Sequence, residues 1–153
     1  MEGPRIAPAR WEDAEFLAKH MRKPDRDEVW AASAFTPERA VEELMKRSSN
    51  PMAGFVDGTL VCMFGISQPA LVSFVGWPWL LSTDFLPLRS FPFLRASKWF
   101  LEDERENYDV LTNYVDARHV AAVQWIRWLG FEIFPAEPFG PFDMLFHRFE
   151  WRR

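Results

Sequence analysis

Asp116 and His119 stand three residues apart where a strand gives way to a helix. A carboxylate beside an imidazole can take a proton from a nucleophile and hand it on. The same spacing also suits a hydrogen bond that merely closes the start of the helix, the plainer of the two roles. Tyr114, just upstream, carries a phenol able to donate a proton, and it fits equally well as a packed strand residue. His20, His119 and His147 are scattered and share no metal-ligand spacing with Cys62, so no metal site is expected. Cys62 lies in the apolar run Leu60 to Phe64, the setting of a buried, inert thiol. Glu12, Asp13 and Glu15 fall in the first turns of a helix, where the helix dipole alone favours acidic residues.

The chain of 153 residues suits one domain, residues 1–153, large enough to bury a core without metal or disulfide. A formal net charge of -4 leaves no basic excess to displace counterions from phosphates, which argues against a nucleic-acid partner. The lone cysteine and the lack of a signal-peptide pattern suggest a protein that is not secreted. No apolar run is long enough to span a bilayer. Eight Trp and fifteen Phe must pack in a core or line a binding surface; most of the tryptophans are expected in the core.

The elements that would position these groups follow from periodicity. Arg5 to Pro8 reads as a short strand. A helix from Trp11 buries Ala14, Leu17, Ala18 and Met21, and Lys23-Pro24-Asp25 reads as its break. Thr36-Pro37-Glu38-Arg39 opens a second helix, with Thr36 as cap and Pro37 at the first helical position. Strands 53–56 and 59–66 flank Asp57-Gly58, a strong hairpin signal, and 77–82 makes a third. Helices over 93–108 and 118–129 enclose a strand at 111–115; Gly130 stops the second of them. A strand begins at Phe131, 135–141 reads as a loop, and 144–151 forms the last strand. This order implies an α/β (α+β) fold with a mixed, mostly antiparallel sheet flanked by about four helices.

Ile6 with Ala9 and Asp13-Ala14, and Asn113 to Ala117 followed by Ala122, Trp125 and Leu129-Gly130-Phe131, resemble the opening and late signatures of the GNAT superfamily of N-acetyltransferases. The full chain also resembles a narrower family of small GNAT-like phage proteins, related to an internal virion protein of podophages. The residues carrying that likeness are 10–17, 79–84, 113–117 and 140–142.

The wider resemblance implies acetyl-CoA as donor, its pyrophosphate held by a glycine-rich loop between a strand and a helix, with a Tyr to protonate the departing thiolate. The corresponding loop here, Asp84 to Pro92, has no glycine; Pro87 and Pro92 lack donors, and Asp84 adds negative charge. Arg89 and Ser90 are its candidate phosphate ligands, with a helix cap as the plainer role for Ser90. The position of the acid Tyr is Ile126, and that of the Asn is His119. The resemblance therefore implies a phage protein with a degenerate acetyl-CoA site. It would bind a virion component or host protein, in the virion interior or host cytoplasm. The alternative is an active acyl-CoA N-acyltransferase with a rearranged cofactor loop.

Overall fold

The computed structural model describes residues 4–70, 73–87 and 91–153. Strands β1 (Arg5–Pro8), β2 (Met52–Val56), β3 (Thr59–Ser67) and β4 (Val75–Ser82) form an antiparallel run, each paired with the next. Strand β5 (Val110–Asp116) joins β4 in parallel, and β8 (Met144–Arg152) pairs antiparallel with β5. The short strands β6 (Glu132–Ile133) and β7 (Glu137–Phe139) both pair with β8. The result is a mixed, mostly antiparallel sheet of eight strands, as the sequence implies.

Helices α1 (Trp11–His20) and α3 (Pro37–Arg47) cover one face of the sheet, burying Leu17, Met21 and Val41 against Ala53, Met63 and Leu81. Helices α4 (Phe91–Glu104) and α5 (Val120–Trp128) cover the other, where Leu101, Ile126 and Leu129 meet Leu111, Val115 and Phe149. Strand β3 is buried along almost its whole length because both of its faces are covered. One extra residue, Val61, bulges between the β2 partners Gly54 and Phe55. The carbonyl of Val61 accepts the Thr83 N–H at 2.9 Å, and the Thr83 hydroxyl donates to Leu60 O at 2.9 Å. The bulge thus fixes where β4 ends.

Several expectations need correction. Lys23-Pro24-Asp25 does not simply end α1; it opens a further helix, α2 (Lys23–Ser33). Proline in the first turn of a helix removes no hydrogen bond, so it starts this helix. The described residues therefore hold five α-helices, where about four are expected. The 135–141 segment contains β7, since its Pro138 sits on a short strand that only β8 flanks. Helix α4 (Phe91–Glu104) does not run on to Tyr108 but gives way at Arg105–Asn107 to a 3₁₀ turn. The tryptophans meet the core only in part: Trp79, Trp125 and Trp151 pack against it half-buried, none is fully buried, and Trp11, Trp30, Trp99 and Trp128 are exposed. The Asp57-Gly58 hairpin stands, with both residues at positive φ (50° and 78°), the geometry of a two-residue type I′ turn.

Candidate functional site

Strands β4 and β5 pair only at Val75–Val110 and Gly76–Leu111, then diverge. The divergence opens a cleft of about 580 Å³ that runs through the sheet. Arg22, Asp25, Glu28, Val29 and Ala32 of α2 and its cap line one half, with Trp79 and Leu81. Phe91, Leu94, Phe100, Leu101, Trp125 and Leu129 line the other.

Asn113 bridges the gap. Its Nδ2 donates to Pro78 O at 3.0 Å and its Oδ1 accepts the Tyr114 N–H at 2.8 Å, so one carboxamide stands in for the lost ladder bonds. On β4, Pro78 turns its carbonyl towards β5, and the Ser82 N–H turns the same way to donate to Asp25 Oδ2 at 2.8 Å. Strand groups alternate, so Leu80, midway between these two, directs its own N–H and C=O into the cleft. Proline at 78 is tolerated for the same reason, because its missing N–H would face the gap rather than the β3 ladder.

Three ionisable groups converge beside this gap. Asp25 and Glu28, one turn apart on α2, face the end of β5, and His119 is the N-cap residue of α5. His119 makes no cap bond; its Nδ1 lies 3.1 Å from Glu28 Oε2. That bond raises the imidazole above its ordinary pKa and outweighs the opposing effect of burial. Burial raises the Asp25 carboxyl to about 6, although the Ser82 N–H and the Arg22 charge pull it down. Glu28 pushes Asp25 up and His119 pulls it down, so the protonation of Asp25 is linked to that of His119.

The candidate acid–base pairing of the Asp116 and His119 side chains is not formed; the plainer role holds, with the His119 backbone N–H donating to Asp116 O at 2.9 Å at the start of the helix. Asp116 instead holds Arg118, accepting its backbone N–H at 2.9 Å and its Nη2 at 2.6 Å. Burial pushes this carboxyl up, but the Arg118 bonds and charge more than offset that and leave it below the usual range. Asp116 thus shapes the turn into α5, while His119 turns to α2. Tyr114 lines the cleft and stacks on Phe139, with ring centroids 3.9 Å apart and planes at 13°. The other tyrosine, Tyr108, is buried with its hydroxyl bonded to Gln68 at 2.8 Å. Ile126 is buried in the core beneath α5. Arg89 and Ser90 lie outside the described residues. Among the described residues no three His, Cys, Asp or Glu side chains converge as a metal site, and no helix is long and apolar enough to cross a membrane. Cys62 is buried and its thiol is pushed up to about 12, so it is not a nucleophile.

Asp25 and Glu28 do not stand out in the sequence when Lys23-Pro24-Asp25 is taken only as a helix break. The available signal was the spacing of Asp25, Glu28, Val29 and Ala32, which marks one helix face.

No family model matches the sequence, and no curated protein sequence matches it. Solved structures do match. A ribosomal L7/L12 alpha-N-protein acetyltransferase in complex with coenzyme A superposes with a TM-score of 0.72 at 5% identity, over 99% of this chain and 95% of that one. A GCN5-related N-acetyltransferase from Kribbella flavida gives 0.71 at 17% identity, over 99% and 98%. A ribosomal-protein-alanine N-acetyltransferase from Brucella melitensis gives 0.70 at 15% identity, over 97% and 99%. At such low identity the likeness concerns architecture: over nearly its whole length, this chain has the fold of the GNAT N-acetyltransferases.

Proposed function

We propose that the protein transfers an acyl group from a thioester to an amine across the gap between β4 and β5. One observation carries this reading: the cleft passes through the sheet, and the Asp25–Glu28–His119 set lines it beside the gap. An alkyl amine is mostly ammonium at neutral pH and attacks only after losing a proton. The Asp25 and Glu28 carboxylates attract the ammonium, and the cluster they form with the His119 imidazole accepts its proton. The nitrogen lone pair then adds to the thioester carbonyl carbon, whose oxygen takes a hydrogen bond from the Leu80 N–H. The carbon–sulfur bond breaks, the thiolate leaves with a proton from Tyr114, the phenol that lines the cleft, and the phenolate recovers the second proton shed by the added nitrogen, leaving a neutral amide. Acetyl-CoA is the simplest donor to try, since one of the structural neighbours is a coenzyme A complex.

The test is amine-dependent release of free thiol from acetyl thioesters, followed with a panel of primary amines and N-terminal peptides. Release should fall in Glu28→Gln and His119→Gln with little change in the KM for the thioester. No amine-dependent release from any thioester between about pH 6 and pH 9 would overturn the reading.

A second reading, a protein-binding module, is favoured by the exposed aromatics Phe91, Trp99 and Trp128 on α4 and α5. The resemblance to small phage proteins supplies its setting, with a virion component or host protein as partner. Under this reading, Trp99→Ala abolishes capture of the partner while Glu28→Gln leaves capture unchanged.

A further inference from the structure

We infer that the acceptor is a free α-amino acid with an apolar side chain: Arg22 takes its carboxylate, Asp25 and Glu28 its ammonium, and the apolar wall beyond them its side chain. This rests on the acyl-transfer reading and concerns only the acceptor. Arg22 is the N-cap residue of α2 and lines the cleft with the two carboxylates. The neighbouring cations are taken: Lys23 pairs with Asp27 at 2.7 Å and Arg118 with Asp116 at 2.6 Å. The half-buried Arg22 side chain, among the described residues, has neither an ion pair nor a hydrogen bond, although its backbone N–H is fixed to Ser82 O at 2.9 Å. Its charge bears on both Asp25 and His119, so the guanidinium stands beside the same cluster. A substrate carboxylate supplies the counter-ion that this planar cation lacks.

The order of groups along α2 supports the same acceptor. Arg22 comes first, Asp25 and Glu28 follow within about two turns, and Val29 and Ala32 continue the face towards Phe35. With its two charges held at the start of α2, an amino acid has its side chain left for Val29, Ala32 and Phe35, which share the cleft with Leu44 and Trp79. The polar groups of this wall are already engaged. The Ser33 hydroxyl donates to Val29 O at 2.8 Å and accepts the Phe35 N–H at 3.3 Å. Glu43 is paired with Arg47 at 3.2 Å, and the Arg39 guanidinium lies 4.2 Å over the Phe35 ring. A polar side chain here loses water without replacement, and the second ammonium of a diamine meets cations. A simple amine leaves Arg22 unpaired and faces its repulsion.

The experiment uses the full chain with acetyl-CoA and follows thiol release with four acceptors. These are L-phenylalanine, phenethylamine, which lacks only the carboxylate, putrescine, and a peptide that begins with phenylalanine. The expected kcat/KM for L-phenylalanine exceeds that of each of the others by more than about tenfold, as a charge-assisted contact open to it alone requires. Arg22→Gln should lower the ratio of phenylalanine to phenethylamine by more than about tenfold. Phenethylamine, putrescine or the peptide within about tenfold of phenylalanine overturns the inference and leaves acyl transfer standing. So does an Arg22→Gln variant that slows phenylalanine and phenethylamine by the same factor. No release with any acceptor, over the thioesters and pH range given above, overturns the acyl-transfer reading itself, which separates the two failures.

Discussion

Replacing Asp25 by Asn should make the protein more stable above neutral pH and flatten the acid side of its stability profile. Asp25 is 6% exposed, and burial raises its carboxyl to about 6. A raised carboxyl means that the folded state holds the proton more tightly than the unfolded chain. The stability it lends is fully present below about pH 4, declines as pH rises through about 6, and is gone above that. A shift of about two units corresponds to about 3 kcal/mol, which is the most the ionised group can cost at about pH 8. Asparagine keeps an oxygen for the Ser82 N–H, now 2.8 Å from Asp25 Oδ2, and carries no charge. Asp25→Asn should therefore gain about 1–3 kcal/mol at about pH 8 and lose the slope between about pH 4 and pH 6. Urea unfolding at a series of pH values measures both. A variant with the parent's slope, or one less stable at about pH 8, would refute the claim that burial dominates at this carboxyl.

Glu28→Gln should bring the His119 pKa down, because the bond at 3.1 Å that raises it no longer ends on a charge; the ring proton shifts in an NMR titration report it directly. Gly140→Ala should cost about 2 kcal/mol or more in a denaturant melt, since φ is +80° there and an added Cβ would strike the Ala31 carbonyl of α2. Asn113→Ala should cost about 1–2 kcal/mol and speed hydrogen exchange at Tyr114, whose N–H loses its acceptor. Cys62, with its thiol pushed up to about 12, should react with a thiol reagent only as fast as the protein opens, so measured release of thiol comes from the donor.

Much of the fold is legible in the sequence because its signals are local. Asp57-Gly58 sets its hairpin by backbone geometry alone, and Gly130, at φ +97°, stops α5 as a glycine there should. The candidate site is less legible, because it depends on which elements meet. Lys23-Pro24-Asp25 has one composition and two readings, and only the packing of α2 against β5 decides between them. With α2 absent, His119 has no acidic neighbour except Asp116; with α2 present, Glu28 takes the imidazole and Arg118 takes Asp116. The tryptophans mislead for a related reason. Trp79 and Trp125 line a cleft, and a cleft inside a sheet leaves no trace in residue counts. Loop composition is informative only in part. Missing glycines and added prolines can be read directly, but the hydrogen bonds that occupy Asp84, Phe85 and Leu86 need coordinates.

The two-pair junction of β4 and β5 has a mechanical side. The sheet is a pair of leaves bound at one corner, β1 to β4 on one and β5 to β8 on the other. Gly76 is the pin of that corner, crowded by the Ile66, Tyr108 and Leu111 side chains so closely that an added Cβ would force them to shift. Asn113 acts as a stay a short way along the opening. A guest wedged between the leaves therefore pushes on a lever whose fulcrum is fixed. The opening angle, rather than any single wall residue, sets the widest group that can pass from one face of the sheet to the other.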